Sequence, residues 1–153
     1  MFFLDGMGSL GNFKDFLNIS TMDATWREEK LTVLLEKVDR QRVNGLGCYF
    51  YDVNLATNRR GRGNIYGRVK ITYPDGTRKV LLAHRLMYML HTNTLHIPPS
   101  KHVSHICHNS LCINPLHLSL EAAHINNERQ TCTHMIPKVC LKHPGHPDCL
   151  FES

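Results

Sequence analysis

Cysteine and histidine are concentrated in the last third of this sequence, at spacings typical of metal ligands. Five of the six cysteines and eight of the eleven histidines lie in residues 101–153. Within that region Cys107, Cys112 and His117 follow one another with four residues between neighbours. Thiolate and imidazole groups are the usual ligands of structural Zn²⁺, which takes four of them. The pattern therefore predicts a zinc site that needs one more ligand from elsewhere.

Three residues compete for that fourth position. Cys48 is the one cysteine outside the last third of the chain, which makes it the natural distant partner, and His102 and His108 are local competitors. A Cys3His site would stabilise a domain whose apolar core is small. The alternatives are incidental buried cysteines or a secreted domain with three disulfides, and the disulfides would leave the interleaved histidines unexplained.

Two further residues in this region could do chemistry. His105 does not fit the ligand spacing, and a neutral imidazole near pH 7 can take a proton from water. Asn126 offers an amide oxygen, a hard neutral ligand suited to Mg²⁺, which binds few protein groups together with phosphate oxygens. One cation and one histidine base suffice for phosphodiester hydrolysis. Each residue alone is more typical of a structural role, so the hypothesis depends on the pair.

A helix and a β-region must position these residues. Thr25 and Glu28 fit a capping box, and apolar residues at helical spacing over 31–38 predict a helix of about four turns that ends before Gly45 and covers one side of a sheet. Residues 47–90 are typical of β-structure, because β-branched and aromatic residues alternate with Arg and Lys. The elements predicted there and beyond are strands at 48–53, 65–73 and 78–82, a turn at 74–77, and short helices at 83–91 and 121–130.

The positive charge is concentrated in one strip. Seven basic residues against Asp75 give residues 59–79 a charge of +6, and the whole chain carries +5, which leaves −1 for the rest. Such a strip favours a nucleic-acid partner over a membrane, since no basic amphipathic helix accompanies it, although a solvated basic face is the alternative. A two-stranded ribbon this basic could lie in a DNA major groove. The predicted DNA-binding residues are Arg59, Arg60, Arg62, Arg68, Lys70, Arg78 and Lys79.

Length and composition fit one folded domain. The chain has 153 residues, of which 42% are hydrophobic and 20% charged, and this argues against disorder. No stretch reaches the ~18 apolar residues of a membrane helix, and the apolar residues 1–4 lack a positive flank. We therefore expect a nuclear or otherwise intracellular protein without a membrane partner.

Residues 104–118, followed by Asn126, resemble the catalytic motif of the His-Cys box homing endonucleases, a branch of the ββα-metal (HNH, or His-Me finger) nucleases. The resemblance extends over residues 45–149 and is most specific from 104 to 126. It implies a compact, zinc-stapled α+β fold with an antiparallel β-ribbon and two structural zinc sites. The implied organisation is an N-terminal arm and helix at 1–44 and an endonuclease domain at 45–153, within a single compact domain.

The resemblance also implies roles for single residues. His105 corresponds to the general base, Asn126 to the Mg²⁺ ligand and Arg68 to the contact with the scissile phosphate. Asn127 competes with Asn126, but the family's spacing of nine residues after His117 favours Asn126. The first zinc site would consist of Cys48, Cys107, Cys112 and His117.

The family carries a second zinc site near the C-terminus. Its ligand order of Cys, Cys, His, Cys leaves His143 and His146 as alternatives here, while His134 lies outside that order, and we favour His143. The last cysteines are spaced more widely than in the family pattern. The predicted ligands of the second site are Cys132, Cys140, His143 and Cys149.

The function implied by the resemblance is hydrolysis of phosphodiester bonds in double-stranded DNA by a homodimer, with two structural Zn²⁺ and one catalytic Mg²⁺. The alternative is a zinc-stabilised DNA-binding module without catalysis. His105 and Asn126 discriminate between them, because a structural finger needs neither a non-ligand histidine nor a hard metal ligand there. A zinc hydrolase is disfavoured, since four protein ligands at each zinc leave no open position for water.

Overall fold

The structure, a computed structural model, describes residues 22–57 and 65–152. The arm predicted at residues 1–20 lies outside this part. The described ranges contain three α-helices and five strands, and all the strand pairs within these ranges are antiparallel. The predicted α+β class is therefore confirmed. The elements are α1 (Ala24–Glu36), β1 (Ala56–Thr57), β2 (Tyr66–Thr72), β3 (Arg78–Leu82), α2 (Ala83–Thr92), β4 (Lys101–His105), β5 (Leu118–Ala122) and α3 (Ala123–Thr133).

The predicted basic ribbon is the hairpin of β2 and β3, which β1 extends to a sheet of three strands in the order β1-β2-β3. Alternation along β2 buries Val69 and Ile71 and leaves Lys70 exposed, as expected for a strand with one face on the core. The turn between the strands uses Gly76 at a φ of +89° and a hydrogen bond from Thr77 N to the carboxylate of Asp75 at 2.8 Å. These are typical turn residues.

The second sheet, β4 with β5, carries helices on both of its faces. The strands pair with Ser104 opposite Ser119 and His105 opposite Leu118, so successive residues alternate between the two faces. Helix α3 follows β5 directly and packs on both strands, while α2 also contacts both. One face presents His102, Ser104, Ser119 and Glu121, and the other presents Val103, His105, Leu118 and Leu120.

Helix α1 begins and ends earlier than the sequence predicted. Its N-cap is Asp23, whose carboxylate accepts a hydrogen bond from Trp26 N at 3.0 Å, so Thr25 is not the cap. The helix ends at Glu36 because the chain beyond it pairs with residues 50 and 51, through Asp39 N to Phe50 O at 2.7 Å. The indole of Trp26 is buried and donates to Thr72 O at 2.8 Å. The helix therefore covers the hairpin, as predicted.

Two other predicted elements are wrong in their bounds. Residues 48–53 do not form a strand, because their partners are the end of α1 and the loop before Cys112; only isolated bridges form, Phe50 with Cys112 and Tyr51 with Val38. The last helix begins at Ala123 and not at 121, since residues 121 and 122 still pair with β4.

Most of the buried apolar residues in the described ranges belong to two separate clusters. The larger one joins α1, α2, the hairpin and the apolar face of the second sheet. The smaller one contains Cys48, Phe50, Cys107, Leu111 and Cys112, so three of its five members are cysteines. This second cluster is too small to hold its loops by hydrophobic burial. Within the described ranges, no helix is both long and apolar enough to cross a membrane.

Candidate metal sites and active-site pocket

The structure brings Cys48, Cys107, Cys112 and His117 together, with their ligand atoms within 4.8 Å of one another. His117 Nδ1 lies 3.5 Å from the sulfurs of both Cys48 and Cys112, and all four residues are buried. The two local competitors are elsewhere. His102 faces Asn126, and the ring of His108 stacks on Phe151 with centroids 5.0 Å apart.

Short irregular segments position these four ligands. Cys48 lies in the extended chain after α1, and the two other cysteines lie in the loop after β4. His117 closes a 3₁₀ turn, Pro115–His117, whose N-cap Asn114 accepts from Leu116 N at 3.0 Å and donates to Gly47 O at 2.8 Å. Asn114 thus ties the two halves of the site together.

The donor chemistry of this tetrad fits Zn²⁺. The thiols of Cys107 and Cys112 hydrogen-bond to Cys48 and hold the pKa of Cys48 well below its usual range. Hydrogen bonds of Cys112 with Cys107 and with Cys48 raise the pKa of Cys112. Without a metal ion, only one of the three neighbouring thiols therefore loses its proton readily. A divalent cation would allow the other two thiols to ionise as well. Asn109 Nδ2 also donates to Cys48 Sγ at 3.2 Å, an outer-sphere contact typical of metal sites.

A second tetrad of Cys132, Cys140, His143 and Cys149 meets the same distance limit. His143 Nε2 lies 3.5 Å from the sulfurs of both Cys132 and Cys149, and its Nδ1 lies 3.4 Å from the carboxylate of Glu128, which would fix the tautomer. Burial raises the pKa of Cys149 to about 12, so its ionisation also calls for a cation. The donor set of three thiols and one imidazole suits Zn²⁺.

Backbone N–H groups support this second tetrad, and the other histidines stay outside it. Leu141 N donates to Cys132 Sγ, and Lys142 N and Cys149 N donate to Cys140 Sγ, each at 3.3 Å. His134 is exposed, and His146 Nδ1 instead lies 3.6 Å from the carboxylate of Glu121. Both tetrads thus offer four protein ligands, an arrangement typical of structural sites.

A pocket of about 500 Å³ opens beside the second sheet and brings His105 and Asn126 together. Asn127 is exposed and does not line the pocket, although it is adjacent in sequence. Among the charged lining residues are Arg85 and Lys138. The complete described lining is Tyr66, Leu82, His84, Arg85, His102, Val103, His105, His108, Ser110, Asn126, Arg129, Gln130, Thr133 and Lys138.

The contacts of His105 define its tautomer. Its Nε2 lies 3.0 Å from the carbonyl oxygen of Cys112. Because a carbonyl only accepts, Nε2 carries the proton and Nδ1 keeps its lone pair. Burial lowers the pKa of His105 to about 4. The ring also lies 4.3 Å from that of His84 and 6.1 Å from that of Tyr66, centroid to centroid. These contacts hold a neutral imidazole in one orientation.

Asn126 lies on the first turns of α3, above the polar face of the second sheet. Its Oδ1 accepts a hydrogen bond from Ser104 Oγ at 2.7 Å, and its Nδ2 lies 3.4 Å from His102 Nδ1. An amide oxygen has two lone pairs, so Oδ1 can accept from Ser104 and still bind a cation. Mg²⁺ is commonly held by one or two protein oxygens, with waters and phosphate oxygens completing its shell. Asn126 therefore fits such an ion.

The predicted DNA-binding residues are only partly on one surface. Arg68, Lys70 and Arg78 share a face of the ribbon, since Thr72 pairs with Arg78 and residues alternate along β2. Lys79 is exposed on the other face, 5.7 Å from the ring of Tyr73. Arg68 does not line the pocket in the described structure, but Tyr66 on the same face does. The residues Arg59, Arg60 and Arg62 lie outside the described ranges.

Sequence reasoning missed three features of the site. Ser104 contacts Asn126, and only the strand alternation next to His105 could have indicated it. His84 packs against His105 but carries no spacing signal. The buried ion pair of Glu121 and Arg129 was missed because residues 121–130 were assigned to one helix.

Comparisons with known proteins agree with this geometry. A family described as the zinc-binding loop region of homing endonuclease matches residues 47–152. The chain is also 32% identical to Protein 2.8 of Escherichia phage T7 over 106 residues. That match spans 69% of this chain and 61% of the relative, so the chain covers less than two thirds of the relative's length.

Proposed function

The chain belongs to the family of the homing-endonuclease zinc-binding loop, and from this premise we propose that it is a Mg²⁺-dependent endonuclease that hydrolyses phosphodiester bonds of double-stranded DNA. The observation that carries the proposal is the shared pocket of His105 and Asn126, with Nδ1 of His105 left unprotonated by the contact of Nε2 with Cys112 O. A buried imidazole with one fixed lone pair is suited to take a proton from water.

In the proposed mechanism His105 Nδ1 accepts the proton of the attacking water, while the carbonyl of Cys112 holds the ring. Asn126 would hold Mg²⁺, which when bound supplies positive charge to the phosphate and the leaving oxygen. Arg68 would contact the scissile phosphate. Its Nε is buried and has no hydrogen-bond partner among the residues that the structure describes, which supports an acceptor from outside the chain. The two tetrads would hold Zn²⁺, and the first of them would fix the loop that carries the Cys112 carbonyl.

The exposed basic side chains of the ribbon would bind the DNA backbone. Lys70 and Arg78 are exposed on the face shared with Arg68, so phosphate contacts there would orient the duplex toward the pocket. We place Arg59, Arg60, Arg62 and Lys79 in the same electrostatic role on charge alone. We also propose a homodimer, because the described residues provide one His105 and Asn126 pair for each chain, and cutting both strands at once needs two.

The proposal is tested by cleavage of supercoiled plasmid with zinc-loaded protein, with and without Mg²⁺. Wild type should nick or linearise the plasmid in Mg²⁺ only. Replacing His105 by Ala should lower the rate by roughly 10² to 10⁴, the usual cost of losing a general base, and should leave the zinc content at two per chain. His91→Ala is the matched control, because His91 is exposed on α2 and does not line the pocket.

Two outcomes would contradict the proposal. A His105→Ala variant that cleaves at the wild-type rate would remove His105 from catalysis. Wild type that binds duplex DNA but cleaves none in Mg²⁺ or Mn²⁺ would favour the alternative of a zinc-stabilised DNA-binding protein. Light scattering of the protein bound to DNA tests the dimer, and one chain per duplex would exclude it.

A further inference from the structure

Ser104 is a buried hydroxyl placed between the pocket and the interior. It is only 1% exposed and precedes His105 on β4, pointing to the opposite face of the sheet. Its Oγ donates to Asn126 Oδ1 at 2.7 Å. The terminal torsion of an asparagine is broad and poorly restrained by its own stereochemistry. The direction of the Asn126 amide is therefore set by its contacts, of which the bond from Ser104 is shorter than the 3.4 Å contact of Nδ2 with His102 Nδ1.

A buried ion pair lies behind Ser104. Glu121 and Arg129 are 0% and 1% exposed, and the guanidinium donates through Nε to Glu121 Oε1 at 2.8 Å and through Nη2 to Oε2. Burial alone would raise the pKa of Glu121, but its hydrogen bonds, chiefly those from Arg129, make the net shift downward. The single hydroxyl proton of Ser104 goes to Asn126, so Ser104 is not a donor to this carboxylate.

The same guanidinium reaches the second tetrad. Arg129 Nη1 donates to Cys149 Sγ at 3.3 Å, and Nη2 donates to Pro147 O at 2.8 Å. Residues 139–152, which include these acceptors, contain no helix or strand. The position of this segment depends on the second tetrad. The positions of Cys149 Sγ and Pro147 O, which accept from Arg129, therefore depend on the second tetrad as well. A path of contacts thus runs from Cys149 through Arg129 to helix α3, which also carries Asn126.

We propose that Ser104 is a positioning residue that holds Asn126 Oδ1 for a divalent cation, and that the Glu121 and Arg129 pair, which fixes helix α3 against β5, makes the position of Asn126 depend on the second tetrad. The inference deepens the proposed function, because it rests on Asn126 as the cation ligand. Outer contacts of this kind typically change metal affinity by roughly 10-fold to 100-fold when removed.

The test uses Mn²⁺ as the only added cation and measures its binding to ¹⁵N-labelled, zinc-loaded protein. The signal is the paramagnetic broadening of the Asn126 side-chain amide resonances. Ser104→Ala should raise the Mn²⁺ concentration for half-maximal broadening roughly 10-fold or more. Ser104→Thr keeps the hydroxyl and should retain the wild-type value. Ser119→Ala is the matched control, since it removes a hydroxyl from the paired strand position without touching Asn126, and it should leave the value unchanged.

The link to the second tetrad is tested with Cys140→Ser, which removes a ligand that does not contact Arg129. Loss of one or two hydrogen bonds along the path should weaken Mn²⁺ binding roughly 3-fold to 10-fold. Wild-type affinity in this variant, with the second zinc shown to be lost, would overturn the link. If Ser104→Ala fails to keep two zincs per chain, Ser104→Cys replaces it, because a thiol is a weaker donor of similar size.

Other outcomes are equally decisive. Equal Mn²⁺ affinity in Ser104→Ala and wild type would overturn the positioning role, as would equal weakening by Ser119→Ala. Wild type in which Mn²⁺ broadens no Asn126 resonance would overturn the inference entirely. Plasmid cleavage by the same samples separates the two proposals. If Mn²⁺ affinity depends on Ser104 but the protein cuts no DNA, the proposed nuclease activity is refuted and the positioning role of Ser104 is retained.

Discussion

Replacing Cys48 by Ser should release the first zinc and unfold the loop at residues 106–117, while the larger apolar cluster stays folded. Cys48 is the ligand that joins this loop to the chain after α1, and it lies 69 positions from His117 in sequence. A hydroxyl is a poor zinc ligand compared with a thiolate, so three ligands would remain. Besides the zinc, two buried isoleucines, Ile106 and Ile113, and a few backbone hydrogen bonds hold the loop.

The magnitude follows from the composition of the smaller cluster. Ordering the twelve residues 106–117 costs about 12 to 24 kcal/mol in backbone entropy, at ~1 to 2 kcal/mol for each residue. Burial of Phe50 and Leu111, the two members that are not cysteines, and of Ile106 and Ile113 in the loop itself contributes about 6 to 12 kcal/mol. A structural zinc contributes about 10 to 16 kcal/mol. The sum of burial and zinc binding then equals the entropy cost of ordering the loop to within a few kcal/mol. Without the zinc, the deficit of about 10 kcal/mol leaves the loop unfolded.

Metal analysis and hydrogen exchange measure this directly. Cys48→Ser should contain one zinc per chain and lose amide protection over 106–117. The single tryptophan, Trp26, is buried in the larger cluster, so its fluorescence should stay native. Cys132→Ser is the reciprocal control and should lose protection over 140–149 instead. Two zincs per chain and a protected loop in Cys48→Ser would refute the reasoning, as would a wild type that is folded without zinc.

Three further predictions concern the ribbon. Arg68→Ala should lower the single-turnover cleavage rate of bound DNA by roughly 10²-fold while changing affinity less; a weaker complex with an unchanged rate would make Arg68 a simple phosphate anchor. Lys70→Ala should flatten the slope of log affinity against log salt by up to about one unit, measured by fluorescence anisotropy, and an unchanged slope would place Lys70 off the DNA. Gly67→Ala should destabilise the fold by about 1 to 3 kcal/mol, because a Cβ there would lie 2.8 Å from Cγ of the buried Tyr51 ring; an unchanged urea midpoint would show that the ring can move.

The sequence by itself was sufficient for features that depend on local spacing. Cys107, Cys112 and His117 lie close in sequence, so their assignment to one site needed no knowledge of the fold. Strand alternation and turn residues were enough for the hairpin of β2 and β3, because a two-residue period and a Gly at positive φ are local properties. The family resemblance came from the same short stretch.

Only the tertiary structure decided features that depend on contacts distant in sequence. It brings Cys48 to the first tetrad and His143, not His146, to the second, and it turns Asn126 and not Asn127 into the pocket. Residues 48–53 have strand-like composition, yet their partners are a helix end and a loop, which allow only isolated bridges. The pair of Glu121 and Arg129 joins a strand to a helix across the interior. Composition and periodicity predict which face of a helix or strand is buried. They do not predict which elements those faces contact, and the ligand sets, the pocket lining and the strand pairing depend on those contacts.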